Sequence, residues 1–188
     1  MGLDMYLKAN LYLSGYDFVS DEEKDHFRRV VEASGLEGAM DPTTLGVEVS
    51  VTVAYWRKAN AVHGWFVRRV QDGQDDCGTY RVTRTQLQEL RDLCAEVLEV
   101  AITSEGQPVQ NGTTYYPGGK VVPQFTEGRA ILNSEQVEKL LPTVSGFFFG
   151  STGYDEWYIR DVENTVELLD KALNDVPHTC AFYYESSW

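Results

Sequence analysis

The order of predicted elements points to a single α+β domain over residues 1–188, a mixed or antiparallel sheet covered by several amphipathic helices. Three observations carry that prediction. In VEVSVTVAY, Val47, Val49, Val51, Val53 and Tyr55 alternate with Glu48, Ser50, Thr52 and Ala54, the period-2 signature of a half-buried strand. Leu87, Leu90, Cys94, Val97 and Leu98 recur at helical spacing behind Thr83 and Gln86, which have capping-box spacing. Helices and strands interleave without the strict repeat of a doubly wound sheet, and no internal repeat or linker divides the chain.

Residues 3–13 (LDMYLKANLYL) lack Gly and Pro and read as a strand. Ser20 ahead of Asp21, Glu22 and Glu23 offers an N-cap and an acidic first turn for a helix to about Ala33, ending near Gly35. After the alternating strand, Ala59, Val62, Phe66 and Val70 predict a helix from Lys58 to about Gln71, stopped by Gly73. Residues 79–82 predict a short strand before the capped helix. The stretch 104–128 contains Gly106, Pro108, Gly112, Pro117, Gly118, Gly119 and Pro123 and is expected to form a long loop or an irregular hairpin. Asn133 with Gln136 starts a short helix ended by Pro142, residues 146–149 predict a brief buried strand, residues 155–173 a last amphipathic helix, and residues 180–184 a final strand.

Sixteen Lys and Arg against 29 Asp and Glu leave a net charge of −13, which repels phosphate backbones at long range and argues against direct nucleic-acid binding. No apolar run is long enough to span a bilayer, and acidic Asp4 stands where a secretory signal is basic, so a cytoplasmic location without membrane association is expected. Cys77, Cys94 and Cys180 are odd in number and widely spaced, as free thiols in a reducing compartment are. His26, His63 and His178 lie far apart with no zinc spacing, and Asp72, Asp75 and Asp76 lack the graded oxygen spacing of a calcium loop. The sequence therefore calls for no metal and no cofactor, and the aspartates read as a solvated turn.

Four stretches, MGLDMYL (residues 1–7), YWRKANAVHGWFV (55–67), VQDGQDDC (70–77) and LPTVSGFFFGSTGYDEWY (141–158), resemble a widespread family of small proteins of tailed phages and prophages. They cover less than half of the chain. The resemblance implies a phage gene expressed in the cytoplasm of a bacterial host, and it supplies no catalytic residue to carry over.

Candidate chemistry rests on two clusters. Arg57, Lys58, Asn60 and His63 are framed by Trp56 and Trp65 in a window, Glu48 to Asp72, that holds no acidic residue between its ends. Such a basic island suits a nucleotide, with Arg on phosphate and indole on the base. The plainer reading is a solvated helix face, with His63 a core histidine whose hydrogen bonds are satisfied. The second cluster is Gly150, Ser151, Thr152 and Gly153, a small flexible run between the expected strand and helix whose backbone N–H groups would face an anion. Simple capping by Ser151 or Thr152 is the alternative, and neither a Walker lysine nor a GxGxxG pattern is present. Tyr115, Tyr116 and Lys120 sit on a Gly and Pro turn that either closes over a ligand or stays a solvent-exposed hairpin.

Three functional readings follow. The first is a phage protein that binds a small phosphorylated, nucleotide-like ligand, with sequestration of a host immune signal as its purpose. The second is an enzyme acting on a nucleotide or small metabolite, for instance with His63 as general base beside a Tyr or Asp partner. The third is an acidic inhibitor that mimics nucleic acid and occupies a host defence protein.

Overall fold

The computed structural model describes residues 2–41, 43, 45–146 and 148–188. Strand β1 (Asp4–Ser14) lies inside a four-stranded antiparallel sheet of order β2-β1-β6-β3, with β2 (Gly46–Arg57), β3 (Thr79–Val82) and β6 (Ala181–Ser187). One face is apolar because alternate residues point to it: Met5, Leu7 and Ala9 from β1, Ala54 and Trp56 from β2, Val82 from β3, Phe182 and Tyr184 from β6. The register of β1 on β2 shifts between Leu7 and Lys8, a bulge that fits the pairing of Leu7 with Ala54 and of Lys8 with Thr52.

Helices α2 (Asn60–Arg69), α3 (Arg84–Val100) and α5 (Glu156–Asp175) contribute to the core that covers this face. Leu87, Leu90, Cys94 and Val97 of α3 and Ile159, Val162 and Leu169 of α5 are buried in it. Each fully buried aliphatic side chain of this kind is worth roughly 1.5–3 kcal/mol relative to exposure. Both bonds of the Thr83/Gln86 capping box form at the start of α3. Helix α1 (Asp21–Ser34) is capped by Ser20, whose hydroxyl accepts from the Glu23 amide at 3.2 Å, and it ends at Gly35 with φ of 67°. Short helix α4 (Ser134–Leu140) stops before Pro142.

Two local expectations are corrected, at the start of α2 and at residues 146–149, and the stretch left open between a loop and an irregular hairpin is resolved as the hairpin. Residues 104–128 lie in a long antiparallel hairpin, β4 (Thr103–Tyr115) and β5 (Val121–Ile131), which forms its own two-stranded sheet. Both strands of a ribbon are edges and accept proline, and register shifts at Ser104/Gln107 and Gln110/Gly112 absorb the irregular sequence. Helix α2 begins at Asn60 and not at Lys58, because Lys58 adopts a left-handed backbone with φ of 60° that no helix continues. Among the described residues of 146–149 there is no strand; Phe149 is buried in an irregular connection, and Phe147 lies outside the described residues. A 3-10 turn at Glu37–Ala39 has no counterpart in the sequence reading. Among the described residues no helix is long and apolar enough to cross a membrane.

Candidate functional site

Four segments enclose a cavity of about 640 Å³. The β2–α2 junction supplies Arg57, Lys58, Asn60 and Ala61; the connection before α5 supplies Thr143, Gly150, Ser151 and Gly153. Strand β4 adds Gln110 to Thr113, and the first turns of α5 add Asp155, Trp157, Tyr158 and Asp161. Six of the ten residues singled out from sequence thus meet in one place.

Arg57 ends β2 with its side chain 60% exposed, its Nε 4.0 Å from Asp4 Oδ1, an acceptor that Tyr55 also engages. Lys58 has no carboxylate within ion-pair distance among the described residues. Its backbone is held on both sides: its N–H donates to the Leu3 carbonyl at 2.7 Å, and its carbonyl accepts from Asn60 at 2.8 Å. Gly150, with φ of 87°, passes so close that a Cβ there would stand 3.2 Å from that of Lys58. Helix α2 then opens without a side-chain cap, since its N-cap is Ala59, and the amides of Ala61 and Val62 meet no acceptor among the described residues. Two cations and an uncapped helix N-terminus therefore adjoin one wall of the cavity.

Asn60 works as a strut. Its Nδ2 donates to the carbonyls of Phe149 at 3.1 Å and Ser151 at 2.7 Å, and its Oδ1 accepts from the Val144 amide at 3.1 Å. All of these bonds fix the backbone of the opposing segment, so Asn60 shapes the cavity and has no amide hydrogen left over for a ligand. Gly64, one turn on, abuts Val144 so tightly that a Cβ would fall 2.4 Å from its Cγ2.

Ahead of α5 the structure puts a carboxylate where free amides were expected. Asp155 itself caps α5, its Oδ1 accepting from Trp157 N–H at 3.0 Å, so the free helix terminus is already met by a carboxylate. Ser151 Oγ accepts from the Gly153 amide at 3.0 Å, Thr143 Oγ1 donates to the Thr152 carbonyl at 3.1 Å, and Thr152 does not line the cavity. The run holds the connection in shape, and the uncapped helix start is that of α2.

On the α5 wall, burial pushes the Asp161 carboxyl up to about 7, with the charge of Asp155 adding to the effect. Asp155 is raised too, chiefly by burial. The Asp161 carboxylate has no hydrogen-bond donor or cation among the described residues. Tyr158, raised by burial, donates its hydroxyl to the Leu141 carbonyl at 2.9 Å. Trp157 Nε1 donates to the Gln110 carbonyl at 3.0 Å and fastens the hairpin to the helix.

His63, Trp56 and Trp65 are placed elsewhere: all three are buried in the core and none lines the cavity. Trp56 donates its indole N–H to Thr165 Oγ1 at 2.9 Å, which in turn donates to the Asp161 carbonyl at 2.6 Å. His63, fully buried, has Nδ1 2.7 Å from the Tyr184 hydroxyl and Nε2 3.1 Å from Asp75 Oδ2, while Asp75 Oδ1 accepts from Trp188 Nε1 at 3.0 Å. A carboxylate accepts, so Nε2 donates to it; burial raises Tyr184 and keeps its hydroxyl protonated, so that hydroxyl donates to Nδ1. The histidine is the satisfied core residue of the plainer reading, and Asp75 is its partner and not merely part of a solvated turn.

Sequence reasoning missed Asp155, Asp161 and the β4 wall. Asp161 had a signal: it interrupts the buried stripe of Tyr158, Val162 and Thr165 on an otherwise amphipathic helix. The β4 residues had none. Among the described residues no three His, Cys, Asp or Glu side chains gather to hold a metal ion, and Tyr115 and Tyr116 are exposed at the hairpin end. Cys77, Cys94 and Cys180 are unpaired, with burial pushing the Cys94 thiol up to about 12. No family model, no curated protein and no solved structure matches the chain.

Proposed function

We propose that this protein binds a small phosphorylated, nucleotide-like ligand in the cavity between the β2–α2 junction and α5. The observation that carries the reading is the convergence of Arg57, Lys58 and the uncapped start of α2 on one cavity wall of a chain whose net charge is −13. Guanidinium, ammonium and free amides are the groups that recognise phosphate. The cavity volume of about 640 Å³ lies within the usual range for small-molecule sites, roughly 300–1,000 Å³. In this proposal the protein acts in the cytoplasm of a bacterium carrying the phage, where holding a nucleotide signal of host immunity gives the binding its purpose.

The test is a panel of linear and cyclic nucleotides measured by calorimetry, followed by heat denaturation and analysis of the released ligand. Binding is expected to weaken with salt, and Arg57→Ala to cost about 1.5–3 kcal/mol, roughly ten-fold to more than a hundred-fold in affinity. No binding to any nucleotide, or an Arg57→Ala variant that binds like the parent, overturns the reading and leaves an acidic inhibitor of a host protein ahead.

A second reading is favoured by one observation. Asp161, a carboxyl that burial pushes up to about 7, lines the same cavity near Asp155, as a general acid or base would. Recovery of chemically altered ligand from the same experiment moves the assignment to an enzyme.

A further inference from the structure

We infer that the base of the bound nucleotide is guanine, held through its paired N–H donors by the Asp161 carboxylate. This rests on the nucleotide reading of the cavity and goes beyond it by naming the base. The cavity is bipolar by construction. Its β2–α2 wall carries Arg57, Lys58 and Ala61 at the uncapped start of α2, while its α5 wall carries Asp161, and no ion pair joins the two sets among the described residues. Asp161 is not compensated by either cation: burial and the like charge of Asp155 dominate its surroundings. A part-buried carboxylate offers about four acceptor positions, and here the protein fills none of them. No protein group has to be displaced from these acceptors, so a ligand with matching donors can take all of them in place of solvent.

The chemistry of the bases then decides among them. Guanine presents N1–H and the N2 amino group side by side, two parallel donors that match the two oxygens of a carboxylate. Adenine presents one amino donor beside the lone pair of N1, which an ionised carboxylate repels. Hypoxanthine keeps N1–H and loses the amino group, and xanthine replaces that group with a carbonyl oxygen, so each tests one of the two bonds. A phosphate on the Arg57 and Lys58 wall and a base on the α5 wall place the sugar between the two.

The experiment measures the affinities of GMP, IMP, AMP and XMP at pH 8, where the carboxyl is ionised, for the parent and for Asp161→Asn, with inorganic phosphate as competitor. For the parent, GMP is expected to bind about ten-fold more tightly than IMP and at least ten-fold more tightly than AMP. In Asp161→Asn the amide donates where the carboxylate accepted, and the order is expected to invert so that XMP exceeds GMP. The order among nucleotides in the parent needs no variant, so a poorly folded Asp161→Asn protein does not shield the inference. Equal binding of all four in the parent, displaced by phosphate, overturns the guanine assignment and leaves the phosphate site standing. Binding of none of them, with phosphate also failing to bind, overturns the nucleotide reading itself and the base assignment with it.

Discussion

His63 draws its partners from positions 12 and 121 residues away, the half-buried Asp75 and the buried Tyr184, and its ring packs edge-on against Phe149. Replacing it with Gln leaves at least one of these polar groups without its bond. We expect His63→Gln to lose about 2–4 kcal/mol of stability while cavity binding in the folded fraction stays within about two-fold. Urea unfolding and calorimetry on the same sample check this; unchanged stability with lost binding would return His63 to the site. At this scale the sequence showed some things and hid others for physical reasons. Arg57 and Lys58 stood out because the acid-free window is a property of the chain itself. The histidine could be placed on an apolar stripe by counting, but its partners could not, because they come from a turn and from a strand that only folding brings together.

The β4–β5 hairpin shows the same division among elements. In the sequence Gly and Pro left this stretch open between a long loop and an irregular hairpin, since their turn signals outweigh weak strand propensity, and its register depends on bulges. Arg129 of β5 is one of the ties that hold it to the domain, beside the Trp157–Gln110 bond and the buried Val109 and Ile131. Its Nε donates to Glu156 Oε2 at 2.8 Å and its Nη1 to Glu163 Oε1 at 2.8 Å, both on α5. The Arg129 guanidinium holds the Glu156 carboxyl down at about 2. Arg129→Met should speed amide exchange across residues 103–131 by ten-fold or more and leave the four-stranded sheet unchanged. Ligand affinity should fall with it, because Gln110 to Thr113 form a cavity wall. Exchange mass spectrometry decides the matter: protection of the hairpin equal to the parent's would mean that Trp157 and the buried Val109 suffice. By contrast α1, α3 and α5 were legible in outline, because caps and a 3.6-residue stripe are local signals.

For the whole molecule, Asp161 makes folding depend on pH in an unusual direction. Its folded carboxyl, at about 7, sits above the ordinary 3.8, so between these values the folded state binds more protons than the unfolded state. Stability from this group is therefore fully present below about pH 4, declines as pH rises toward 7, and is level above that. Glu156 runs the opposite way, stabilising above about pH 4.5 and losing that contribution as pH falls toward 2. Asp161→Asn should flatten the decline between pH 5 and 8 and exceed the parent at pH 8 by on the order of 1–3 kcal/mol. Urea midpoints at four pH values test it, and parallel curves for the two proteins would show that the carboxyl does not govern the slope. The cavity thus keeps a group that the fold would be more stable without. Lys58 belongs to the same account, for its left-handed backbone stores roughly 1–2 kcal/mol that glycine would release. Lys58→Gly would therefore relax the main chain at the rim of the cavity and remove one of its two cations in a single step, so at this position the strain and the charge are carried by the same residue.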